Sequence, residues 1–300
     1  MGLAYLCPAN TATVKPDSCS FRLALTRPYV DNSPMSSKRA DDLLRIRYAL
    51  DSVANMIQGV NRQEVSVSYS PNGDPVTALD RAINRLLHEN LPQNGEAWLS
   101  EESQDDLSRL HSSRIWVVDP IDGTREYVEG LPMWCVSVGL VEDGQAVAGG
   151  ILNPSTGEMF LGSIETGLEL LGPIRVQSAA DNGSPPRMLV SRKEYGQGKW
   201  ARFECSELTI SPVGSIAYRL AQVASGYAEA TCTFDPRSEW DVAAGVALVH
   251  ATGGRVQTFD GTPIRFNQRV PNVQSFFAFG KDCPASVPQK CGVTMNPESD

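Results

Sequence analysis

Two aspartates three positions apart follow directly on an apolar run in the sequence. Asp119 and Asp122 belong to the segment D-P-I-D-G-T at residues 119–124, and residues 115–118 before it are all apolar. A turn at the end of a buried strand can aim both carboxylates at one point, and the glycine after Asp122 lets backbone N–H groups approach a ligand. Hard divalent cations prefer such oxygen ligands. Because Asp, Pro and Gly also dominate ordinary turns, the segment taken alone leaves a generic turn open.

Three further acidic segments lie elsewhere in the chain. They read S-E-E-S at residues 100–103, E-W-D-V-A-A-G at 239–245 and D-P-V-T-A-L-D at 74–80. Each of them by itself is typical of a capped helix start, where a polar side chain satisfies free backbone N–H groups and acidic residues favour the helix dipole. Only their occurrence together in one chain favours a shared metal site over capping.

The four segments together resemble the inositol monophosphatase superfamily in order and spacing. That superfamily carries D-x-V-T-x-x-D, then E-E-S, then D-P-[IL]-D-G-T and W-D-x-A-A-G, and the resemblance covers residues 38–280 of this chain. It implies an α/β (α+β) fold, a layered αβαβα sandwich of the inositol monophosphatase and fructose-1,6-bisphosphatase type, with the site between two lobes. It also implies metal-dependent hydrolysis of a phosphate monoester by a homodimer.

By the same resemblance, the acidic residues hold two or three Mg²⁺ ions. One ion would bind Glu101, Asp119 and the carbonyl of Ile121, and a second would bind Asp119, Asp122 and Asp241. A third, more loosely held ion would contact Glu101. The resemblance further implies that Mn²⁺ can substitute and that Ca²⁺ and Li⁺ inhibit. Paired ions can bind the phosphate oxygens and stabilise the leaving alkoxide.

The catalytic roles implied by the resemblance fall on Thr124, Glu101 and Asp74. Thr124 would orient the attacking water, assisted by Glu101 and by a hydrogen bond to Asp74, while positioning and charge neutralisation supply most of the catalysis. For Arg192 and Arg219, ordinary surface charge is an open alternative to substrate binding. The positions expected to contact the substrate are Gly123, Thr124, Ser191, Arg192, Gly214, Ser215, Arg219 and Glu239.

Three details resemble the 3′(2′),5′-bisphosphate nucleotidase branch, which converts 3′-phosphoadenosine 5′-phosphate to AMP and phosphate. Residues 123–127 read G-T-R-E-Y, residues 239–241 read E-W-D, and Phe234-x-Pro236 matches an F-x-P that precedes the same E-W-D. Phe234 also stands where inositol-selective members place a glutamate. A phenyl ring cannot accept hydrogen bonds from sugar hydroxyls, and an aromatic wall suits a nucleobase better. Asp235 is adjacent, so a small shift would restore a carboxylate, and an inositol-1-monophosphatase or related sugar phosphatase stays the alternative.

Two other classes of function compete with this interpretation. A non-catalytic protein on the same fold is a remaining alternative, although every expected metal ligand and the threonine are present. The segment G-Q-G-K-W-A at residues 196–201 superficially resembles a dinucleotide fingerprint, but no clear strand precedes it and we expect a loop.

The amino-acid composition restricts which binding partners and which cellular environment are expected. A formal net charge of −9 argues against a nucleic-acid polymer, and a small phosphorylated substrate stays possible because bound cations reverse the local potential. Seven cysteines without a C-x-x-C motif argue against zinc and disulfides. Cys135, Cys205 and Cys232 lie in apolar stretches, which is typical of core residues in a reduced, cytoplasmic protein. No run of about 18 apolar residues occurs, so we expect no membrane insertion.

Hydrophobic spacing predicts the elements that position these side chains. Apolar residues at helical spacing predict helices over 38–58 and 78–91, and short apolar runs separated by turns predict an antiparallel meander. The strands of that meander are expected at 115–118, 134–141, 146–152 and 158–162. Further elements are expected as strands at 188–191, 208–213 and 227–231, helices at 215–224 and 240–251, and strands near Val256 and Phe276.

The same pattern suggests a division of the chain into parts. Residues 1–36 are expected to be an arm, and 37–180 an α+β lobe with most of the metal ligands. Residues 181–281 are expected to be an α/β lobe with the last metal ligand and the substrate contacts. A small, polar, proline-containing stretch supports the boundary between the lobes. Residues 282–300 are expected to be a loose tail.

Overall fold

The computed structural model describes residues 38–69, 75–174, 183–203 and 207–291, which belong to one compact unit spanning 36–300. The helices are α1 (Lys38–Gln58), α2 (Ala78–Asn90), α3 (Thr124–Glu129), α4 (Arg192–Gly196), α5 (Ile216–Ala224), α6 (Glu239–Ala251) and α7 (Ser286–Lys290). The strands are β1 (Val67–Tyr69), β2 (Pro75–Thr77), β3 (Ala97–Ser100), β4 (Arg114–Asp122), β5 (Cys135–Glu142), β6 (Gln145–Asn153), β7 (Glu158–Ser163), β8 (Gly167–Leu171), β9 (Arg187–Ser191), β10 (Thr209–Val213), β11 (Ala230–Thr233), β12 (Arg237–Ser238), β13 (Arg255–Thr258), β14 (Asn272–Val273) and β15 (Phe276–Phe279).

Eleven of these strands form two main sheets, and β1 with β2 and β12 with β14 form two small two-stranded sheets. The larger has six strands in the order β3-β4-β5-β6-β7-β8, and each strand from β4 to β8 pairs antiparallel with the next. Its first pair, β3 with β4, is parallel. The smaller sheet has the order β10-β9-β11-β15-β13. Its β10, β9 and β11 run parallel, while β15 is antiparallel to both of its neighbours.

Both faces of the six-stranded sheet are buried, because its central strands are apolar at successive positions. On β4, Trp116 and Val118 join a core with α1 and α2, whereas Ile115 and Val117 join a core with α5 and α6. Successive side chains of a strand point to opposite faces, so this alternation requires helices on both sides. The sheet is therefore sandwiched between two helical layers.

The five-stranded sheet packs on the opposite side of α5 and α6. Leu189 and Ala278 of this sheet belong to the core that contains those helices, while Met188 and Phe277 belong to a third core with Trp200 and Val287. The layers are thus helix, sheet, helix, sheet, helix, which confirms the expected αβαβα sandwich.

The predicted elements mostly match the structure. The helix at 38–58, the helix starting at Ala78 and the antiparallel meander are confirmed. The strand expected at 227–231 lies at Ala230–Thr233 instead, since Tyr227 belongs to the turn that ends α5. Strands β3 and β8 and the helix α3 were not anticipated because they are short.

The predicted arm, lobe boundary and tail differ in how much of each lies within the described residues. The arm at 1–36 and the lobe boundary at 180–181 lie outside the described residues, and the two-lobe division stays a prediction. The loose tail is wrong for residues 286–291, where α7 forms and Val287 is 1% exposed in the third core. The G-Q-G-K-W-A segment begins with the last residue of α4, forms turns at residues 197–200, as expected of a loop, and enters a short 3-10 helix at Ala201.

Cys135 and Cys232 are buried core thiols, as expected, and Cys205 lies outside the described part of the chain. No helix in that part is both long and apolar enough to cross a membrane.

Candidate active site

Parallel pairing of two strands brings the first two acidic segments together. Ser100 at the end of β3 is paired with Val118 on β4, so the next residues, Glu101 and Asp119, lie side by side. The backbone N–H of Glu101 donates to the carbonyl of Val118, and that of Ile121 donates to Asp119 Oδ1 at 2.9 Å. The predicted proximity of these two carboxylates follows from a strand pairing that apolar patterning alone does not reveal.

A register shift in β4 redirects the second aspartate. The pairing with β5 is irregular between Asp119 and Asp122, which is typical of a bulge that re-aims a side chain next to a site. Gly123 follows with φ of +93°, and a Cβ there would lie 3.1 Å from the Met133 carbonyl oxygen. Helix α3 then begins at Thr124, whose hydroxyl donates to the carbonyl of Ile121 at 2.9 Å. The glycine is required for this turn.

The last acidic residue comes from the first turn of α6. Asp241 is the third residue of the helix and completes a capping box with Ser238. The helix lies directly on the six-stranded sheet, because a Cβ on Gly139 would come within 2.9 Å of Ala243 Cβ. Capping and site formation are therefore not alternatives here, since one carboxylate does both.

The four carboxylates perturb one another. The pKa of Asp119, which is 1% exposed, is raised well above its ordinary value by desolvation and by the charges of Glu101, Asp122 and Asp241. The pKa of Asp241 is raised for the same reasons, with Asp122 and Glu101 as the charged neighbours. Carboxylates that oppose each other's ionisation form a cation-attracting cluster.

Glu101 lies at the open side of this cluster. Part of its side chain is exposed to solvent, yet surrounding protein desolvates the carboxyl and the charges of Glu102 and Asp122 add to the effect. Together they raise the pKa of Glu101 to about 7. A carboxyl with a pKa near neutrality can gain and lose a proton under physiological conditions.

Asp122 is held by the start of α5. Its Oδ2 accepts hydrogen bonds from the Ser215 hydroxyl at 2.6 Å and from the Ala217 N–H at 2.7 Å. Desolvation raises the pKa of Asp122, while these bonds and the nearby Arg237 and Arg219 guanidinium groups oppose that rise. Ser215 was expected to contact the substrate, and in the structure its hydroxyl contacts a site carboxylate.

Asp80 joins the cluster although only Asp74 of its segment was expected to act at the site. It is 1% exposed, caps α2 through Thr77, and its charge contributes to the raised pKa values of Glu101 and Asp119. Its position as the last letter of D-x-V-T-x-x-D was the signal that could have identified it. Asp74, the residue selected from that segment, lies outside the described residues, so its role stays a prediction.

The oxygen atoms of this carboxylate cluster are of the chemical type that binds divalent cations. All the side-chain donors are carboxylates, and their mutual repulsion is what a bound cation would relieve. Glu101 and Asp119 approach closely enough to share a hydrogen bond when one is protonated. Within the described ranges, the Asp, Glu, His and Cys side chains are not arranged as a metal site of three or more ligands. Metal binding would therefore reorient these carboxylates.

Three of the expected substrate positions lie around α3. The Arg192 guanidinium pairs with Glu126 at 2.9 Å and with Glu129 at 3.4 Å. Ser191 caps α4, and a Cβ on Gly214 would lie 2.5 Å from Glu126 Cγ. These residues pack the helices next to the site, and their contact with a substrate stays a prediction.

Arg219 and Glu239, two positions expected to contact the substrate, are both enclosed by protein. Arg219 is 2% exposed and donates to Thr231 Oγ1 and the Cys232 carbonyl. Glu239 is fully buried, and its two oxygens accept the backbone N–H groups of Asn267 and Gln268. Surface charge, the alternative for Arg219, is wrong because the side chain is buried. The contact of Arg219 and Glu239 with a substrate stays a prediction.

Phe234 belongs to an aromatic cluster. Its ring centroid lies 4.7 Å from that of Trp200, 5.8 Å from Phe259 and 6.0 Å from Phe203. Asp235, the carboxylate that could have replaced the missing glutamate, forms an ion pair with Lys199 at 2.7 Å. Neither residue offers an unpaired carboxylate to a sugar hydroxyl.

Comparison with known proteins identifies the family of this chain. The model of the inositol monophosphatase family matches residues 40–282. A 3′-phosphoadenosine 5′-phosphate phosphatase from Mycobacterium bovis is 32% identical over 205 residues, which is 64% of this chain and 72% of that protein. The 3′(2′),5′-bisphosphate nucleotidase CysQ of Escherichia coli K12 is 29% identical over 233 residues, covering 74% and 91%.

A solved structure supports the same assignment. The extragenic suppressor protein suhB from Bartonella henselae superposes with a TM-score of 0.68 at 25% identity, covering 85% of this chain and 98% of that one. The αβαβα sandwich and the buried acidic cluster at the end of β4 define the class as a phosphatase. The chain belongs to the inositol monophosphatase family and is a phosphoric monoester hydrolase.

Proposed function

We propose that this chain is a Mg²⁺-dependent 3′(2′),5′-bisphosphate nucleotidase that hydrolyses 3′-phosphoadenosine 5′-phosphate to AMP and phosphate. The observation that carries the proposal is that Glu101, Asp119, Asp122 and Asp241 act on one another's pKa values at the end of β4, where Thr124 begins α3. The names of the Mycobacterium bovis and Escherichia coli relatives support the choice of substrate.

The metal would be held by the residues that the family pattern assigns. Glu101, Asp119 and the Ile121 carbonyl would bind one Mg²⁺, and Asp119, Asp122 and Asp241 another. When bound, such ions neutralise phosphate oxygens and stabilise the leaving alkoxide. Structures of family neighbours with Mg²⁺ and phosphate and with lithium support the class of cofactor.

The chain's own groups would position the attacking water. Thr124 donates its hydroxyl hydrogen to the Ile121 carbonyl, which leaves the hydroxyl oxygen free to accept a hydrogen from water. Glu101 lies at the open side of the cluster, where its carboxylate would accept a hydrogen bond from the same water. The N–H groups of Gly123 and Thr124, at the start of α3, would contact the phosphate.

The surroundings of Phe234 and Asp235 support a nucleotide over an inositol phosphate. A polyol needs an acceptor at this position, and a hydroxyl buried without one costs about 1–3 kcal/mol. Phe234 has no acceptor and Asp235 is paired with Lys199. The partial exposure of Phe234 leaves the aromatic cluster adjacent to solvent, where a base could contact it.

A phosphate-release panel with Mg²⁺ tests the proposal. It compares 3′-phosphoadenosine 5′-phosphate, inositol 1-phosphate, fructose 1,6-bisphosphate and histidinol phosphate by kcat/KM. We expect the nucleotide to lead inositol 1-phosphate by at least about tenfold, which is about 1.4 kcal/mol in transition-state binding. The Asp241→Asn variant serves as the control for contaminating phosphatase. A tenfold lead for inositol 1-phosphate would make the chain an inositol monophosphatase.

A further inference from the structure

A cavity of about 440 Å³ opens between β7 and α5, on residues other than those of the acidic cluster. Its volume lies within the range of small-molecule sites. It is lined by residues from β7 and the turn before it, from the segment after β8, and from α5 and the turn after it. None of the expected metal or substrate residues is among them.

A buried carboxylate without a counter-charge faces this cavity. Glu158 is 9% exposed, and its Oε2 accepts hydrogen bonds from the Tyr218 hydroxyl at 2.5 Å and from Thr156 Oγ1 at 2.7 Å. Among the described residues, no Lys, Arg or His forms an ion pair with it, and its Oε1 accepts no hydrogen bond. A buried charge that lacks an opposite charge is costly, so this position favours a cation.

An unpartnered amide oxygen lines the same space. Gln222 lies one helical turn after Tyr218 on α5, so both side chains share a face of the helix. Gln222 Oε1 is buried and has no hydrogen-bond partner among the described residues. Buried polar atoms are nearly always satisfied, so this oxygen calls for a donor within the cavity.

Aromatic rings complete the lining. Phe160, Tyr218 and Tyr227 all border the cavity, and the centroids of Phe160 and Tyr218 are 6.3 Å apart in an edge-to-face arrangement. The Arg187 guanidinium already lies 4.4 Å from the Tyr227 centroid, outside the cavity lining. Aromatic faces attract ammonium groups more strongly than they attract neutral polar groups.

We propose that this cavity is a binding site for a small organic ammonium ion with N–H donors and an apolar body. The ammonium group would pair with Glu158 and donate to Gln222 Oε1, and the aromatic residues would contact the apolar part. A neutral ligand would leave the carboxylate uncompensated. An inorganic cation would leave the aromatic walls without an apolar partner.

The test measures binding by titration calorimetry to the full chain at neutral pH. The probe is cyclohexylammonium, and cyclohexanol is the uncharged molecule of similar size. We expect cyclohexylammonium to bind at least about tenfold more tightly than cyclohexanol. Tetramethylammonium, a cation without N–H donors, is expected to bind more weakly than cyclohexylammonium.

Two variants assign the binding to these residues. Glu158→Gln keeps the size of the side chain and an acceptor for Tyr218 while removing the charge, and it is expected to weaken cyclohexylammonium binding at least about tenfold. Gln222→Met removes the amide and is expected to weaken it severalfold. Glu89→Gln, at an exposed position on α2 outside the cavity, is the matched control and should leave binding unchanged.

Thermal melting of each variant shows whether it is folded. Absence of cyclohexylammonium binding to the folded wild type would overturn the proposal. Equal affinity for cyclohexanol, or unchanged affinity in folded Glu158→Gln, would overturn it as well. Phosphate release is not part of the readout, so the result is independent of the proposed nucleotidase activity.

Discussion

At the scale of single residues, the neighbours of a carboxylate decide its charge. Glu96 and Glu101 are close in sequence, yet the pKa of Glu96 is lowered to about 2 and that of Glu101 is raised to about 7. Glu96 accepts hydrogen bonds from arginines, whereas Glu101 faces other carboxylates. A glutamate in a sequence therefore predicts catalysis only after its partners are known.

Thr124 is the residue whose loss should separate chemistry from folding. We expect Thr124→Val to lower kcat at least about 100-fold, or about 2.7 kcal/mol, because the oriented water loses its acceptor. Thr124→Ser keeps the hydroxyl and should retain most of the turnover. Steady-state phosphate release measures both, with melting temperature as the check on folding. Equal loss in the two variants would contradict this role, because Thr124→Ser retains the hydroxyl.

Acid should weaken the fold through Glu96 and Glu142. Desolvation opposes their ionisation, but hydrogen bonds from Arg45, Trp116 and Arg114 to Glu96, and from Arg39, Lys38 and Arg114 to Glu142, lower both pKa values from 4.5 to about 2. Folded-state values below the unfolded ones mean that this stability is present above pH 4.5 and is lost as the pH falls towards 2.

Urea unfolding between pH 6 and pH 3 measures this acid sensitivity. After allowance for solvent screening, the loss of unfolding free energy should be about 1–2 kcal/mol per carboxylate over the full range. Glu96→Gln should be less stable than wild type at pH 6 and should lose less on acidification. The opposite trend, with Glu96→Gln becoming more acid-sensitive, would refute the role of this ion-pair network.

At the scale of elements, close packing of α6 on the larger sheet determines where Asp241 lies. Gly139 on β5 is paired with Gly149 on β6, and a Cβ at either position would overlap α6 near Ala244. The small residues of W-D-x-A-A-G and the paired glycines thus allow one helix to approach the sheet. This approach brings the last acidic residue to the end of β4.

Gly149→Ala should disturb this contact. Its Cβ would lie 2.5 Å from the Ala244 carbonyl oxygen, so α6 must shift, at a cost of about 1–3 kcal/mol. Urea unfolding measures the loss, and kcat should fall as well because Asp241 moves with the helix. Gly196→Ala, whose Cβ would meet no atom within 4 Å, is the control. Equal stability of the two variants would exclude the proposed role of the contact.

Elements differ in how well the sequence predicts them. The long helix α1 and the strands of the meander follow from apolar periodicity, because each buries a continuous face. The parallel pairing of β3 with β4 and the irregularity before Asp122 depend on contacts between distant segments. For that reason the acidic residues were predictable by type and motif, whereas the enclosed positions of Arg219 and Glu239 were not.

At the scale of the whole molecule, the fold concentrates negative charge at one end of its central layers. Segments from β3, β4 and α6, with Asp80 from α2, contribute carboxylates that raise one another's pKa values. Their repulsion opposes folding until a cation is bound. We therefore expect divalent metal to raise the melting temperature of the protein as well as to support its activity.

Magnesium and Asp241→Asn test this coupling together. For wild type, Mg²⁺ at about 100 times its dissociation constant should add about 2.7 kcal/mol, or about 5–10 °C in melting temperature, and chelation should abolish turnover. Asp241→Asn removes one repelling charge while its side-chain oxygen can still cap α6. Without metal this variant should therefore melt above wild type, and its response to Mg²⁺ should be smaller. A metal-free variant that melts below wild type would show that the cluster does not repel, and activity in excess chelator would remove Mg²⁺ from the reaction.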